Sequence, residues 1–483
     1  MRGDLDGAIN HLELALREDP GSVYLMIELS NLYLKKDRID DALRMAEDAF
    51  KSKPDNIPTL STLGMLYTQK KDMGKAEEIY KKWLEIKPDD TEPYIYLANL
   101  YNLTNKREDA IGILQKALQF APNDLSVRYH LGRIFVEIGE YKRAIGEFEE
   151  IIRLDPSNIT GYFMLGVVYE ELEDIEKAIS NLERVVELNP FYIDARRRLA
   201  ILYIKDNKID KAIEQIVEVT RLFPEDTEIR MVLARLYISN KQYKDAEKEL
   251  RYVLSSRPQD MDANYLLARV LGLMQRYEEA IERFRVLLKE HPDKPDVYLH
   301  MGILYIDMKE YKKAEESLHK GLELSPDNED INFHLAVVYE KMKRDNEMFR
   351  YLKRTIEINP NHVDALNYLG YSYAERGIEL DYASELINRA IGLEPENGYI
   401  RDSLGWVYYQ KGMYDDALRE AKRASELVKD DPVILEHLGD IYLKLNDRDS
   451  ALDAWKRAIQ FHEKEEGLRE RVEKKIKGLL KNN

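Results

Sequence analysis

The chain has 483 residues, a net charge of −17 and no cysteine, so disulfides, thiol catalysis and cysteine-based zinc sites are excluded. Its 90 acidic against 73 basic residues disfavour a nucleic-acid ligand, because phosphate recognition calls for a basic excess. With 34% charged and 10% aromatic residues, and no apolar run near the roughly 20 residues that span a bilayer, the composition is neither disordered nor membrane-embedded.

In chain order, Gly3 to Pro20 reads as one amphipathic helix, the second half of a helical pair, with Ala8 and Ala15 at its small-residue positions. Its first-helix partner is missing, which would leave Ile9, Leu12 and Leu16 without a neighbour. Residues 1–22 are therefore expected to be a half-repeat at the start of a truncated chain. From Val23 a unit recurs that is clearest between Ile159 and Tyr192. Tyr162, Leu165, Gly166 and Tyr169 step by three and four, and Ala178, Leu182, Val185 and Val186 repeat the pattern. Glu173 and Asp174 separate the two stripes, and Asn189-Pro190 ends the second because proline cannot continue a helix. Each stripe is a helix of about three turns, too short to be stable alone. A pair of them still leaves apolar surface uncovered, so the unit must stack on copies of itself.

The period supports this. Prolines stand at 20, 54, 88, 122, 156, 190, 224, 258, 292, 326 and 360, each 34 residues after the last, and Pro395 follows one residue late. In the same phase run a leucine, a small residue and an aromatic, as in Leu63, Gly64 and Tyr67 or Leu131, Gly132 and Phe135. A small residue lets two helix backbones approach, and a large one fills the gap beside it. Residues 23–362 thus hold ten regular repeats. Asp194, Glu228, Asp262, Asp296, Asp330 and Asp364 recur near the start of first helices, where carboxylates complement the helix dipole.

The pattern breaks between Lys343 and Ala383. Met348 replaces the usual alanine, and one extra residue lies within Gly377–Tyr382, which predicts a change of superhelical pitch. Three repeats follow over 363–465. In 466–483, Leu468, Val472, Ile476 and Leu479 form one apolar stripe, as a capping helix requires.

These residues and this period resemble the tetratricopeptide repeat (TPR) family over essentially the whole chain. The resemblance implies an all-α, right-handed superhelical solenoid of about thirteen helix-turn-helix repeats, with an N-terminal half-repeat and a C-terminal cap. The stretch Asn367 to Leu418, with NYLGYSYAERG and LINRAIGLEPENGYIRDSLGWVYYQKG, is similar to periplasmic, lipid-anchored TPR proteins of Gram-negative bacteria. One member of that group partners a carboxy-terminal processing protease. For a truncated chain this implies a periplasmic or outer-membrane-associated location, with the cytoplasm as the alternative.

No enzyme chemistry emerges. The sequence has no glycine-rich phosphate loop and no HExxH, and GYSYA at Gly370 lacks the second glycine of a nucleophile elbow. His130, His300, His334 and His437 occupy equivalent places in first helices. Neighbouring helices lie about 8–10 Å apart, whereas metal ligands sit about 2 Å from the ion, so these are expected to be surface or groove histidines. No metal and no cofactor are expected.

Function is expected on the concave face, which in the family is lined by the second, fifth, ninth, twelfth and thirteenth places of each repeat. Two clusters stand out there. Arg197, Arg198, Arg235 and Arg269 could clamp the carboxylates of a peptide, unless Glu170, Glu171 and their acidic neighbours neutralise them locally. Tyr368, Tyr371, Tyr399, Trp406 and Tyr409 are either interface anchors or packing. The chaperone-tail clamp of some family members is set aside, because no lysine stands at the fifth place. The expected function is a non-enzymatic scaffold or adaptor for a protein or extended peptide, in bacterial envelope assembly or proteolysis. The alternative is the recognition portion of a larger enzyme whose catalytic domain lies upstream. Self-association through the incomplete N-terminal repeat is a further expectation.

Overall fold

A computed structural model describes residues 5–465 and 467–481. Among them are 28 α-helices, in two compact units that divide between Asn240 and Lys241. The first unit opens on α1 (Leu5–Glu18). Six hairpins follow: α2 (Val23–Lys35) with α3 (Ile39–Ser52), α4 (Ile57–Gln69) with α5 (Met73–Ile86), α6 (Glu92–Leu103) with α7 (Arg107–Phe120), α8 (Leu125–Glu137) with α9 (Tyr141–Leu154), α10 (Ile159–Glu171) with α11 (Ile175–Leu188), and α12 (Ile193–Lys205) with α13 (Ile209–Leu222). The unit ends on α14 (Thr227–Ser239).

The second unit opens on α15 (Tyr243–Ser256). Its hairpins are α16 (Met261–Leu273) with α17 (Tyr277–Glu290), α18 (Pro295–Asp307) with α19 (Tyr311–Leu324), α20 (Glu329–Lys341) with α21 (Asp345–Ile358), α22 (Val363–Arg376) with α23 (Leu380–Leu393), α24 (Gly398–Gln410) with α25 (Tyr414–Leu427), and α26 (Pro432–Lys444) with α27 (Arg448–Gln460). It ends on α28 (Leu468–Lys481). Within each unit every hairpin packs on the next, the arrangement of an all-α solenoid.

The helix ends follow from sequence chemistry. Asn56, Asp124, Asn158, Asp226, Asp260, Asn328, Asn397 and Asp431 accept hydrogen bonds from free N–H groups at the start of first helices. Between the helices of every hairpin except α22–α23 one residue takes positive φ, such as Asp37, Lys71, Asn105, Gly139 or Glu173.

Inside the hairpins, the small residue of the first helix (the eighth place of the repeat) faces a large one of the second. A Cβ on Gly132 would lie 2.6 Å from the Phe148 ring, and one on Gly166 would lie 2.7 Å from Leu182. The alanines of the second helices, from Ala42 through Ala76 and Ala110 to Ala451, are fully buried. Repeats are further tied by the tyrosine three places on: Tyr67 donates to Glu47 at 2.8 Å and Tyr101 to Glu77 at 2.9 Å.

Two departures from expectation are instructive. Ile9 is buried with Leu29 and Tyr33, and Leu12 and Leu16 pack on the same cluster, because α2 of the following repeat covers them. Ala8, by contrast, is exposed where its counterparts are buried. The extra residue near position 377 falls in the turn after α22, which has two left-handed residues, Gly377 at φ 66° and Glu379 at φ 47°. Here α22 and α24 pack along one another more extensively than other adjacent first helices, and Met348 is accommodated fully buried. On α28, Leu468 and Val472 are buried against Leu435 and Trp455, with Ile476 and Leu479 beside them. No helix among the described residues is long and apolar enough to cross a membrane.

Candidate functional site

First helices carry the predicted site residues, and one contact rule organises them. A fifth-place side chain meets the sixth-place side chain of the next repeat, 35 residues on. The Arg198 guanidinium lies 5.8 Å from the centre of the Phe163 ring, and the Tyr265 hydroxyl is 3.2 Å from His300 Nδ1. Phe333 and Tyr368 meet edge to face at 6.1 Å, and His437 Nδ1 lies 2.8 Å from Asp402 Oδ2. At the last junction Glu436 receives Arg471 of α28 at 2.8 Å. Arg198 and Tyr368 therefore stand between adjacent first helices at the sixth place, which the groove pattern does not include.

The arginines separate accordingly. Arg198 pairs with Glu170 at 2.6 Å, the local neutralisation that the sequence left open. Arg197, exposed at the fifth place of α12, makes no hydrogen bond or ion pair among the described residues. Arg235 is exposed on α14 and has an interaction of its own. Arg269 belongs to the second unit, where its guanidinium lies 6.0 Å from the Tyr265 ring centre.

Around Arg197 the surface is hollow. A cavity of about 420 Å³ between α12 and α14 is lined by Ala200, Ile201, Ile204, Ile229, Val232 and Leu236, with Ile216 and Val219 of α13 beneath. Ile201 is 49% exposed and Val232 46%. A second hollow of about 450 Å³, with Phe191, Tyr192 and Phe223, shares Arg197 and Asp226 with the first. These aliphatic residues escaped sequence reading, although Ile201 and Ile204 stand at groove places nine and twelve.

Three of the five aromatics come together in the second unit. Trp406 stacks between Tyr409 at 4.7 Å and His437 at 4.2 Å, and Tyr371 lies 6.4 Å from the same imidazole. Tyr399 stands apart at the start of α24, 56% exposed. Burial pushes the Tyr409 hydroxyl up to about 12 and raises Tyr371 as well. The expectation of surface or groove histidines fails at His437, which is 7% exposed and held beside a 6% exposed Asp402. Burial opposes its charge, but Asp402, Asp440 and Glu436 outweigh that and raise its pKa. Asp402 Oδ1, Asn367 Oδ1 and Trp406 Nε1 are buried without a hydrogen-bond partner.

The helix α28 completes this end. Lys475 reaches Glu436 at 2.7 Å and Asp440 at 2.5 Å. Burial works against the Glu436 carboxylate, yet Arg471 and Lys475 hold its pKa below the usual range. Burial raises that of Asp440 despite Lys475. The signal for this cluster was present as acids at the fifth place of two successive repeats, Asp402 and Glu436, a place that holds no acid in the earlier repeats. Among the described residues no group of His, Cys, Asp or Glu is arranged to hold a metal ion.

Comparison with known proteins follows the helical pattern. Models of the tetratricopeptide repeat match residues 1–63, 37–100, 67–126, 169–236, 212–270, 237–299, 273–323, 329–362 and 403–465, and a TPR repeat model matches 132–173, together more than half of the chain. The TPR repeat-containing protein PA4667 of Pseudomonas aeruginosa is 41% identical over 76 residues, which is 16% of this chain and 13% of that protein. The chain thus spans a small part of its curated relative. Among solved structures, the APC/C hetero-tetramer Cut9-Hcn1 is 16% identical with a TM-score of 0.40, covering 87% of this chain and 91% of that one. Yeast Tom70 is 17% identical with a TM-score of 0.37, covering 95% and 96%.

Proposed function

This chain belongs to the tetratricopeptide repeat family, and we propose that it is a non-enzymatic scaffold that binds a protein or extended peptide along its first helices. The observation that carries this reading is the exposed aliphatic strip of Ile201, Ile204 and Val232 around unpaired Arg197. Contiguous apolar side chains left in water beside a few polar groups mark interaction surfaces. Arg197, Arg198, Arg235 and Arg269, and Tyr368, Tyr371, Tyr399, Trp406 and Tyr409, are the binding residues of this reading. Arg197 and Tyr399, which project most freely, are its first contacts. Bacterial envelope assembly or proteolysis is the setting we favour. Its support is the likeness of Asn367 to Leu418 to lipid-anchored periplasmic TPR proteins, and the Pseudomonas aeruginosa relative is consistent with a bacterial source.

Affinity capture from bacterial envelope extract tests the reading, with wild type beside an Ile201→Ser, Ile204→Ser variant and a Tyr371→Ala, Trp406→Ala, Tyr409→Ala variant. A partner retained by wild type and lost by either variant, at unchanged helicity, supports it. If wild type retains nothing above an unrelated helical protein of equal charge, the scaffold reading is wrong.

A further inference from the structure

At the junction between α12 and α14 the fifth- and sixth-place side chains make no polar or ring contact among the described residues, unlike the five junctions named above. Its fifth-place residue is Arg197 and its sixth-place residue Val232, which is too short to reach across. The slot of about 420 Å³ is what remains open, walled by Ile201, Ile204 and Ile229 and floored by Ile216 and Val219. Of the three consecutive arginines, Arg196 donates to Pro190 O at 2.8 Å and Gln215 Oε1 at 2.7 Å, and Arg198 pairs with Glu170. Of the three, only Arg197, at the mouth of the slot, has no partner among the described residues. Two acids also line the slot, and both are engaged: Asp226 caps α14, accepting from the N–H groups of Glu228 and Ile229, and Glu228 has an interaction of its own. Asp194 lies at the aromatic hollow and does not line the slot.

We infer that this junction docks an extended segment of a partner protein that carries an aliphatic side chain next to a carboxylate. The aliphatic group takes the place that Arg198, His300, Tyr368, His437 or Arg471 fills at those five junctions. The carboxylate accepts the paired N–H donors of Arg197, whose planar fork matches its two oxygens. A lysine or arginine there would meet Arg197 with like charge. The inference rests on the protein-binding reading above and adds the partner's chemistry. The carboxylate is that of an Asp or Glu side chain, because an extended segment lying along the first helices runs on past the slot.

Fluorescence anisotropy of the full chain with labelled peptides separates the cases. The probes are amidated Gly-Ser-Leu-Asp-Gly-Ser, the same peptide with Lys in place of Asp, and Gly-Ser-Gly-Ser-Leu with a free terminal carboxylate. An acidic probe is expected to bind at least about tenfold more tightly than the Lys probe, and Arg197→Gln to weaken it about tenfold, as loss of a charge-assisted hydrogen bond implies. Val232→Tyr, which fills the slot, is expected to abolish binding in a chain whose melting shows it folded. Binding of the amidated Asp probe supports the side-chain carboxylate, and binding of the free-acid probe alone overturns it in favour of a chain terminus. Equal binding of the Asp and Lys probes, or of wild type and Val232→Tyr, overturns the inference, as does no binding of any probe. If that happens while wild type still captures a partner from extract, the scaffold reading survives. If capture fails too, both fall.

Discussion

A sixth-place side chain stands between two first helices, and its chemistry is set by what faces it there. His437 faces Asp402 in direct contact, with Glu436 and Asp440 near and Arg471 and Lys475 beyond them. Because its folded pKa is raised above the ordinary value of about 6.5, its charge stabilises the fold fully below that value. This contribution is lost as pH rises through the folded pKa. Asp440, also raised, acts in the same direction over a more acidic range. Wild-type melting temperature should therefore fall from about pH 6.5 upward, and His437→Phe should flatten that slope. An unchanged slope in the variant would show that another group titrates. Steric demand is as local as charge. A Cβ on Gly439 would overlap the Trp455 ring, whereas on Gly405 it would lie 3.3 Å from its nearest neighbours because Ala421 stands opposite. Gly439→Ala should cost about 1–3 kcal/mol by overpacking, while Gly405→Ala should stay within about 1 kcal/mol, helped by helix propensity. Denaturant melts of the two variants compare them directly.

At the scale of helices, α28 is fixed by charge as well as by its apolar stripe. Arg471 and Lys475 neutralise Glu436, which is 4% exposed, so truncating both leaves a buried carboxylate without a cation. The cost expected for Arg471→Ala with Lys475→Ala is about 2–3 kcal/mol, below the usual penalty for breaking a buried pair because Arg471 remains partly in water. Arg469→Ala, whose partner Glu473 is surface-exposed, should stay within about 0.5 kcal/mol. Equal losses would mean that general helix charge, and not Glu436, holds the cap. At the α12–α14 junction the opposite sign is expected. Val232→Tyr supplies the missing sixth-place group and should stabilise by about 0.5–2 kcal/mol, read as a raised melting temperature. Helix boundaries and packing partners were legible in the sequence because proline, small residue and aromatic each answer a steric need inside one period. The site was not. Its defining contacts span 35 residues, one more than the repeat, so following a 34-residue column never sets Asp402 beside His437 or Glu436 beside Arg471. Arg198 and Tyr368 were read into the groove for the same reason. The freedom of Arg197 depends on where its two neighbours find partners, which the order of residues alone does not specify.

For the molecule as a whole, the repeat plan decides how far any local change is felt. A helix pair that touches only its neighbours contributes stability through its own packing and those interfaces, so opening free energies vary along the chain. Gly166→Ala is a clean lesion for this purpose, since its Cβ would meet Leu182 inside the α10–α11 hairpin. Native-state hydrogen exchange should show protection falling in α8 through α13 and unchanged in α20 through α27, where no repeat touches the lesion. Uniform loss along the chain would mean a single cooperative unit and contradict the plan. The result also bears on the binding site. If lesions stay local, substitutions at Ile201, Val232 and Arg197 report on the slot itself, and the aromatic stack around Trp406 serves as an undisturbed internal control. If they spread, a lost partner would measure lost folding, and only the stabilising Val232→Tyr change would still separate the two.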